Sequence, residues 1–399
     1  MIKSLCWNIR GITSNGAFDR LKQLKRQYNL GFIAVQEPFS RMDKLEKFRR
    51  RMGFHFSYAN SSNKIWLFCE EEYNCTIIVD HEQHLTCQIK YDDVVITITI
   101  VYAKCDVQLR EQLWNELRSI SSNQTGPWMV MGDFNCILDP SEKRGGIQHN
   151  MKESLPLLEC ICDSDLIDMG YSGSTFTWCN GWAPDKRIWK RLDRVLANQE
   201  WIDQCNGTTI THLVRTGSDH APMLITASNN IINPKKYFKF LNLWTKDDTF
   251  MDVVQQAWQE DFSGSPMWKF HLKLKNTCSK LSWWSRNCLG DIFENTKTME
   301  KKVADLEKIC IVNTTDVSRM HLNEANALLI RHNKQEEEFW RQKAGTKWFE
   351  EGDLNTKFFH SVIKSRRRRL MLNKIKKEDG SWLDNPNEII DESIQFFQK

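Results

Sequence analysis

Nowhere in the 399 residues is there an unbroken apolar run of the eighteen or so needed to cross a bilayer, so no transmembrane span is expected. Proline is scarce, at 9 residues, and glycine stands at 18, which excludes collagen-like and low-complexity linker chains. The thirteen cysteines form no repeated Cys-x-x-Cys frame, and Cys160-Ile161-Cys162 has the wrong spacing for a zinc knuckle. They read as reduced core residues. No basic region followed by an apolar stretch and a small-residue cleavage site precedes Ile2–Trp7, so the protein is expected to stay inside the cell.

What is present is apolar bulk, with 41% hydrophobic residues, 16 Trp and 21 Phe, enough to exclude a disordered chain. The length suits two domains. Residues 1–228 hold 26 basic and 27 acidic side chains, net −1, whereas the remainder holds 29 and 24, net +5. The basic second part suits contact with a polyanion or simply a solvated surface.

In residues 1–228 apolar segments alternate with helical spacings. Strands are expected at 2–8, 32–36, 65–69, 75–79, 85–90, 94–103 and 128–133, and helices at 18–28, 108–120 and 151–162. The closely spaced strands between 65 and 103 argue for antiparallel pairing, hence a mixed sheet with flanking helices. Residues 229–240 read as a linker. Beyond it the strand pattern stops. Apolar residues at intervals of three and four predict two helices, one through Leu289–Cys310 and one through Leu322–Phe339, that form a hairpin. Arg366–Arg369 and a hairpin turning at Asp379-Gly380 follow. The chain stops at Lys399 within a helical pattern, which reads as truncation before any polymerase.

Phosphodiester hydrolysis at neutral pH needs a cation, a base for the attacking water, and donors for the charge that develops on phosphate. Each has a candidate at the end of an apolar strand. Asn8 closes Cys6-Trp7-Asn8, Glu37 closes Val35-Gln36-Glu37-Pro38, and Tyr102 closes Val101-Tyr102-Ala103. Asp133 and Asn135 lie in Gly132-Asp133-Phe134-Asn135, and Asp193 stands alone in Arg191-Leu192-Asp193-Arg194. Asp219 and His220 adjoin in Ser218-Asp219-His220-Ala221-Pro222, where histidine is the obvious acid or base. Glu37 is a hard oxygen donor of the kind magnesium takes. Tyr91-Asp92-Asp93-Val94 has the look of a polymerase motif but lacks the intervening residue and reads as a hairpin turn.

The ordered set Trp-Asn, Gln-Glu-Pro, Val-Tyr, Gly-Asp-Phe-Asn, Arg-Leu-Asp-Arg and Ser-Asp-His-Ala-Pro resembles the endonuclease/exonuclease/phosphatase superfamily, the group shaped like DNase I. Glu142–Gly146, Gly173–Trp178 and the spacing to Leu192-Asp193-Arg194 are similar to the endonuclease region of plant LINE-type non-LTR retrotransposons. Trp348–His360 and the arginines after it resemble the connector of such elements. The resemblance implies a four-layer α/β sandwich, two sheets back to back with helices outside, followed by an α-helical extension over 241–399. It further implies a magnesium-dependent endonuclease, with manganese as the alternative ion, acting on DNA in the nucleus. By motif, Glu37 would be the principal metal ligand, assisted by Asn8 and Asp219. Asp133 would align or deprotonate water, Asn135 and Tyr102 would hold the scissile phosphate, and His220, oriented by Asp193, would contact phosphate oxygens. Arg10 stands where relatives often carry an acid. Another phosphoester substrate and a non-catalytic element remnant are the rival expectations.

Overall fold

The computed structural model describes residues 2–14, 16–91, 94–228, 238–312, 315–344, 375–383 and 386–398. Most of the expected linker, the Trp348–His360 segment and Arg366–Arg369 lie outside these residues. Two compact units emerge, residues 1–232 with 364–399, and residues 233–363. The terminal segment thus groups with the first unit, whereas the sequence patterns place it with the helical extension.

The first unit begins β1 (Ile2–Asn8), α1 (Ala17–Tyr28), β2 (Phe32–Gln36), α2 (Leu45–Met52), β3 (Phe56–Ala59) and β4 (Ile65–Cys69). It continues β5 (Thr76–Asp80), β6 (His84–Tyr91), β7 (Val94–Tyr102), α3 (Val107–Asn123) and β8 (Trp128–Asp133). Next come β9 (Lys143–Arg144), α4 (Leu155–Asp163), β10 (Ile167–Asp168), β11 (Ser172–Gly173), β12 (Trp178–Cys179) and β13 (Trp189–Lys190). It closes with β14 (Asp193–Ala197), α5 (Gln199–Gln204), β15 (Thr209–His212) and β16 (Met223–Ala227). One sheet runs β11-β15-β16-β1-β2-β4-β3, a second β10-β14-β8-β7-β6-β5, and β12-β13-β9 form a small third. Tyr91 and Val94 are cross-strand partners, as the hairpin reading requires, although Asp92 and Asp93 are not among the described residues.

Side-chain alternation builds the layers. In β1, Ile2 and Cys6 enter the core between the two large sheets, while Leu5 and Trp7 face the other way. The central core joins Phe32, Ala34 and Leu67 of one sheet to Ile98, Ile100, Met129 and Met131 of the other. Behind the first sheet, Leu21 and Leu24 of α1 and Phe48 and Met52 of α2 pack on Ile33, Val35 and Trp66. Behind the second, Leu113 and Trp114 of α3 and Leu157 and Ile161 of α4 pack on Val101 and Val130. The order helix, sheet, sheet, helix is the expected four-layer sandwich.

None of the thirteen cysteines is joined in a disulfide. Eight are buried as expected, but Cys105 and Cys288 are exposed because they sit in a loop and at a helix end rather than in a strand.

The second unit is helical: α6 (Phe250–Gln259), α7 (Pro266–Trp284), α8 (Ile292–Val312) and α9 (Asp316–Ala344). Its core gathers Leu243, Trp244, Phe250, Leu281 and Trp284, with Ile292 and Phe339 against them. α8 and α9 make the expected hairpin, with Phe293 against Phe339 at 5.3 Å. The terminal segment holds the strands Ile375–Lys376 and Trp382–Leu383, paired across a turn in which Gly380 takes a φ of 85°, and then the helix Pro386–Gln398. No helix among the described residues is long and apolar enough to cross a membrane.

Candidate active site

The same alternation that sends Ile2 and Cys6 inward sends Asn8 inward two residues further on. Gln36 follows Phe32 and Ala34, Tyr102 follows Ile98 and Ile100, and Asp133 follows Met129 and Met131. Asp193 precedes Val195 and Ala197 on the same face. Each polar group therefore ends a row of core side chains, and register sets the rows side by side. Asn8 pairs with Gln36, Tyr102 with Asp133, and Asp133 with Asp193. Both sheets contribute to one mouth at the end of the sandwich.

Hydrogen bonds and ion pairs line the mouth. His220 Nδ1 lies 2.8 Å from Asp193 Oδ2, and His220 Nε2 lies 3.8 Å from Asp133 Oδ2. Asn8 Nδ2 donates to Asp133 Oδ2 at 3.0 Å, and the Asn135 backbone N–H donates to Asp133 Oδ1 at 2.9 Å. Tyr102 donates its hydroxyl to Glu37 Oε1. Asn135 Nδ2 donates to the Ala103 carbonyl at 2.7 Å, and Arg110 Nη1 donates to the Asn135 carbonyl. Trp7 Nε1 donates to the His220 carbonyl at 3.1 Å, tying β1 to the loop before β16. Asp133, Asp193 and His220 are all buried, and burial pushes the Asp133 carboxyl up to about 6, against the pull of the His220 charge. Burial opposes charge on His220 as well, but the Asp193 and Asp133 carboxylates outweigh it and hold the imidazole up at about 9. The ring is thus a cation at neutral pH, able to donate rather than accept.

Asn8, Asp133, Asn135, Asp193 and His220 meet in these contacts, Tyr102 and Glu37 form a separate pair at the same mouth, and Asp219 turns to other partners. Asp219 Oδ2 accepts from Arg10 Nη1 and from Trp178 Nε1 at 3.0 Å, so its carboxylate already has a guanidinium partner. Ser218 Oγ holds the loop by donating to the Asn8 carbonyl at 2.8 Å.

A divalent ion fits the donors present. Glu37 is half-buried, and with Asn8 Nδ2 committed to Asp133 the amide Oδ1 is left with one long 3.3 Å bond from the Arg10 N–H. Both are hard oxygens, the set that suits magnesium or manganese rather than a soft-ligand metal. Among the described residues the one group of three acidic or histidine side chains with ligand atoms all within 4.8 Å of one another is Asp133, Asp193 and His220.

Backbone conformation sharpens the mouth. Arg10, Glu37 and Asn135 all have left-handed φ, at 44°, 48° and 47°, which non-glycine residues rarely adopt. Gly132, with φ 146°, admits no side chain: a Cβ there would lie 2.0 Å from the Val101 carbonyl oxygen of β7. Gly132→Ala is expected to part β7 from β8, lowering stability by more than about 1 kcal/mol and displacing Asp133. Thermal unfolding checks this, and a wild-type Tm would contradict it.

Sequence reasoning missed the support beneath Asp193. Arg191 and Arg194, its neighbours in the motif, are buried and shared between Glu142 and Asp168 at 2.7–3.0 Å. Thr177 Oγ1 accepts from the Leu192 and Asp193 N–H groups at 3.0 and 3.1 Å. Two arginines three apart around an acid in an otherwise apolar strand were the available signal, since buried arginines need buried carboxylates.

The family model described as Endonuclease/Exonuclease/phosphatase family matches residues 5–220. The Transposon TX1 uncharacterized 149 kDa protein of Xenopus laevis is 22% identical over 304 residues, 72% of this chain and 22% of its own length. The chain therefore spans about a fifth of that relative. Among solved structures, the endonuclease domain of TRAS1, a telomere-specific non-LTR retrotransposon, is 13% identical with a TM-score of 0.43, covering 56% of this chain and 96% of its own. The 3' phosphatase NExo from Neisseria, bound to product DNA hairpin, is 15% identical with a TM-score of 0.46, covering 57% and 100%. An AP endonuclease from Archaeoglobus fulgidus is 14% identical with a TM-score of 0.45, covering 57% and 100%. With the family model spanning more than half its length and the motif residues meeting at one mouth, the chain belongs to the Endonuclease/Exonuclease/phosphatase family.

Proposed function

We propose that this protein is a magnesium-dependent endonuclease that nicks DNA for a LINE-type retroelement of the plant kind, acting in the nucleus. The observation that carries the reading is the line Asp193–His220–Asp133, with Asn8 and Glu37 beside it at one mouth. An ion held by Glu37 and Asn8 would neutralise phosphate charge and ease deprotonation of the attacking water. Asp133, anionic at neutral pH and anchored by Asn8 and the Asn135 N–H, is the group placed to orient that water and take its proton. His220 keeps its proton on Asp193's side and offers Nε2–H to a phosphate oxygen. This division gives the base role to Asp133 and not to the histidine. On this reading Asn135 and Tyr102 hold the scissile phosphate, with the Asn135 amide oriented by Ala103 and the Tyr102 hydroxyl by Glu37. The likeness to a transposon protein supports the link with a mobile element.

The full chain with magnesium is expected to convert supercoiled plasmid to relaxed circles, a conversion lost in EDTA and in the Asp133→Ala/His220→Ala double variant. A folded protein that leaves plasmid intact while hydrolysing an abasic, RNA or phospholipid substrate would move the assignment within the family. Inertness toward all of them would mark a non-catalytic remnant.

A further inference from the structure

Three side chains beside Glu37, those of Arg10, Phe39 and Lys64, serve neither the core nor the catalytic line. The loop after β1 and the loop after β2 run together, with Gly11 N–H on the Glu37 carbonyl at 2.8 Å and Ile12 N–H on the Pro38 carbonyl at 2.9 Å. On this paired ridge Arg10, Glu37 and Phe39 all take left-handed φ, at 44°, 48° and 43°. Phe39 is 55% exposed and the Arg10 side chain 57% exposed. A phenylalanine in left-handed backbone with half its surface in water is strained and gains little from folding, so its placement asks for another cause. Lys64 Nζ stands 4.7 Å from the Phe39 ring centroid, and the Lys64 carbonyl accepts the Glu37 N–H at 2.9 Å, so this cation is fixed to the same ridge. Gly11 also abuts the ring, since a Cβ on it would lie 4.0 Å from Phe39 Cδ2.

We propose that Arg10, Phe39 and Lys64 form a nucleotide grip beside the scissile phosphate: Phe39 stacks on the base of a flanking nucleotide, and Arg10 and Lys64 bind backbone phosphates. Every base has a face to stack, which makes an aromatic platform tolerant of sequence, and adjoining cations track the charged backbone. Arg10 has five N–H donors, and Nη1 alone donates to Asp219, which orients the guanidinium without neutralising its reach toward a second anion. A stacking face needs an accessible base. The substrate class is therefore a single-stranded or locally opened nucleic acid next to the nick rather than a base-free phosphoester. This inference rests on the nuclease reading above.

The test uses the full chain and a defined oligonucleotide cut at one position. The same oligonucleotide is also made with a tetrahydrofuran abasic residue scanned through the nucleotides flanking the cut. In the wild type one abasic position is expected to raise KM at least fivefold. Phe39→Ala should raise KM five- to fiftyfold on the base-bearing strand and remove the distinction between the two strands, while Phe39→Trp should retain it. Arg10→Gln should raise KM on both strands and reduce the slope of log affinity against log salt by about one. Folded Phe39→Ala and Arg10→Gln proteins with wild-type KM and salt slope would overturn the grip and leave the nuclease standing. A wild type that cuts no nucleic acid at all would overturn both.

Discussion

His220→Ala is expected to lower kcat for nicking by about 10²- to 10⁴-fold with little change in KM. The ring sits between two carboxylates, with Nδ1 held by Asp193 at 2.8 Å and Nε2 facing Asp133 at 3.8 Å, so its loss removes the one buried cation of the catalytic line. The contacts that position the loop are made by backbone atoms: the His220 N–H donates to Ser218 Oγ and the His220 carbonyl accepts from Trp7. Alanine keeps both, so the variant should fold. Asp193→Asn should cost a similar factor because it removes the charge that keeps the imidazole protonated, and combining the two should cost scarcely more than either alone, as groups acting in one unit do. Single-turnover nicking with saturating plasmid measures this. Full additivity of the two variants would show that Asp193 and His220 act separately.

The largest effect on stability is expected from Asp168→Asn. Its carboxylate and that of Glu142 are shared by two buried guanidiniums, Arg191 and Arg194, and the Arg194 side chain has no exposed surface. Removing one negative charge leaves two buried cations facing one carboxylate, a loss of about 3–5 kcal/mol. In a unit of this size that corresponds to about 6–20 °C in Tm. The pH dependence has a fixed sign. Burial alone would raise the Asp168 pKa, but Arg191 and Arg194 overcome it and hold the carboxyl far below its ordinary range. Its contribution is therefore complete above the unfolded pKa of about 3.9 and is lost only as pH falls below that value. Urea unfolding of wild type and variant should show a constant difference from pH 7 to 5 that narrows by pH 3. A difference that grows on acidification would contradict the charged assignment.

Much of this was legible in the chain. The strands Ile2–Asn8, Phe32–Gln36, Ile65–Cys69 and Trp128–Asp133 follow from apolar runs, and three of them run out at Asn8, Glu37 and Asp133. The strands at Phe56–Ala59, Thr209–His212 and Met223–Ala227 were not drawn from the sequence. Thr209-Ile210-Thr211-His212 is short and half-polar, and its strand character comes from pairing with β16 rather than from its own composition. The pairing of Arg191 and Arg194 with Asp168 was also hidden, because ion pairing across 23 and 26 residues leaves no local spacing. The Arg10–Asp219 contact, 209 residues apart, was beyond reach for the same reason.

The inward face that ends in Asn8, Tyr102 and Asp133 couples catalysis to pairing between strands. In β8, Met129, Met131 and Asp133 share one side while Trp128 and Val130 share the other. A slip of one residue against β7 would turn Asp133 toward the helices and bring Val130 into the space between the sheets. No half-correct register can place part of the mouth. On the proposed function, nicking turnover would accordingly count the molecules whose central strands have paired correctly, and a misregistered population would appear as a lower active fraction with unchanged KM.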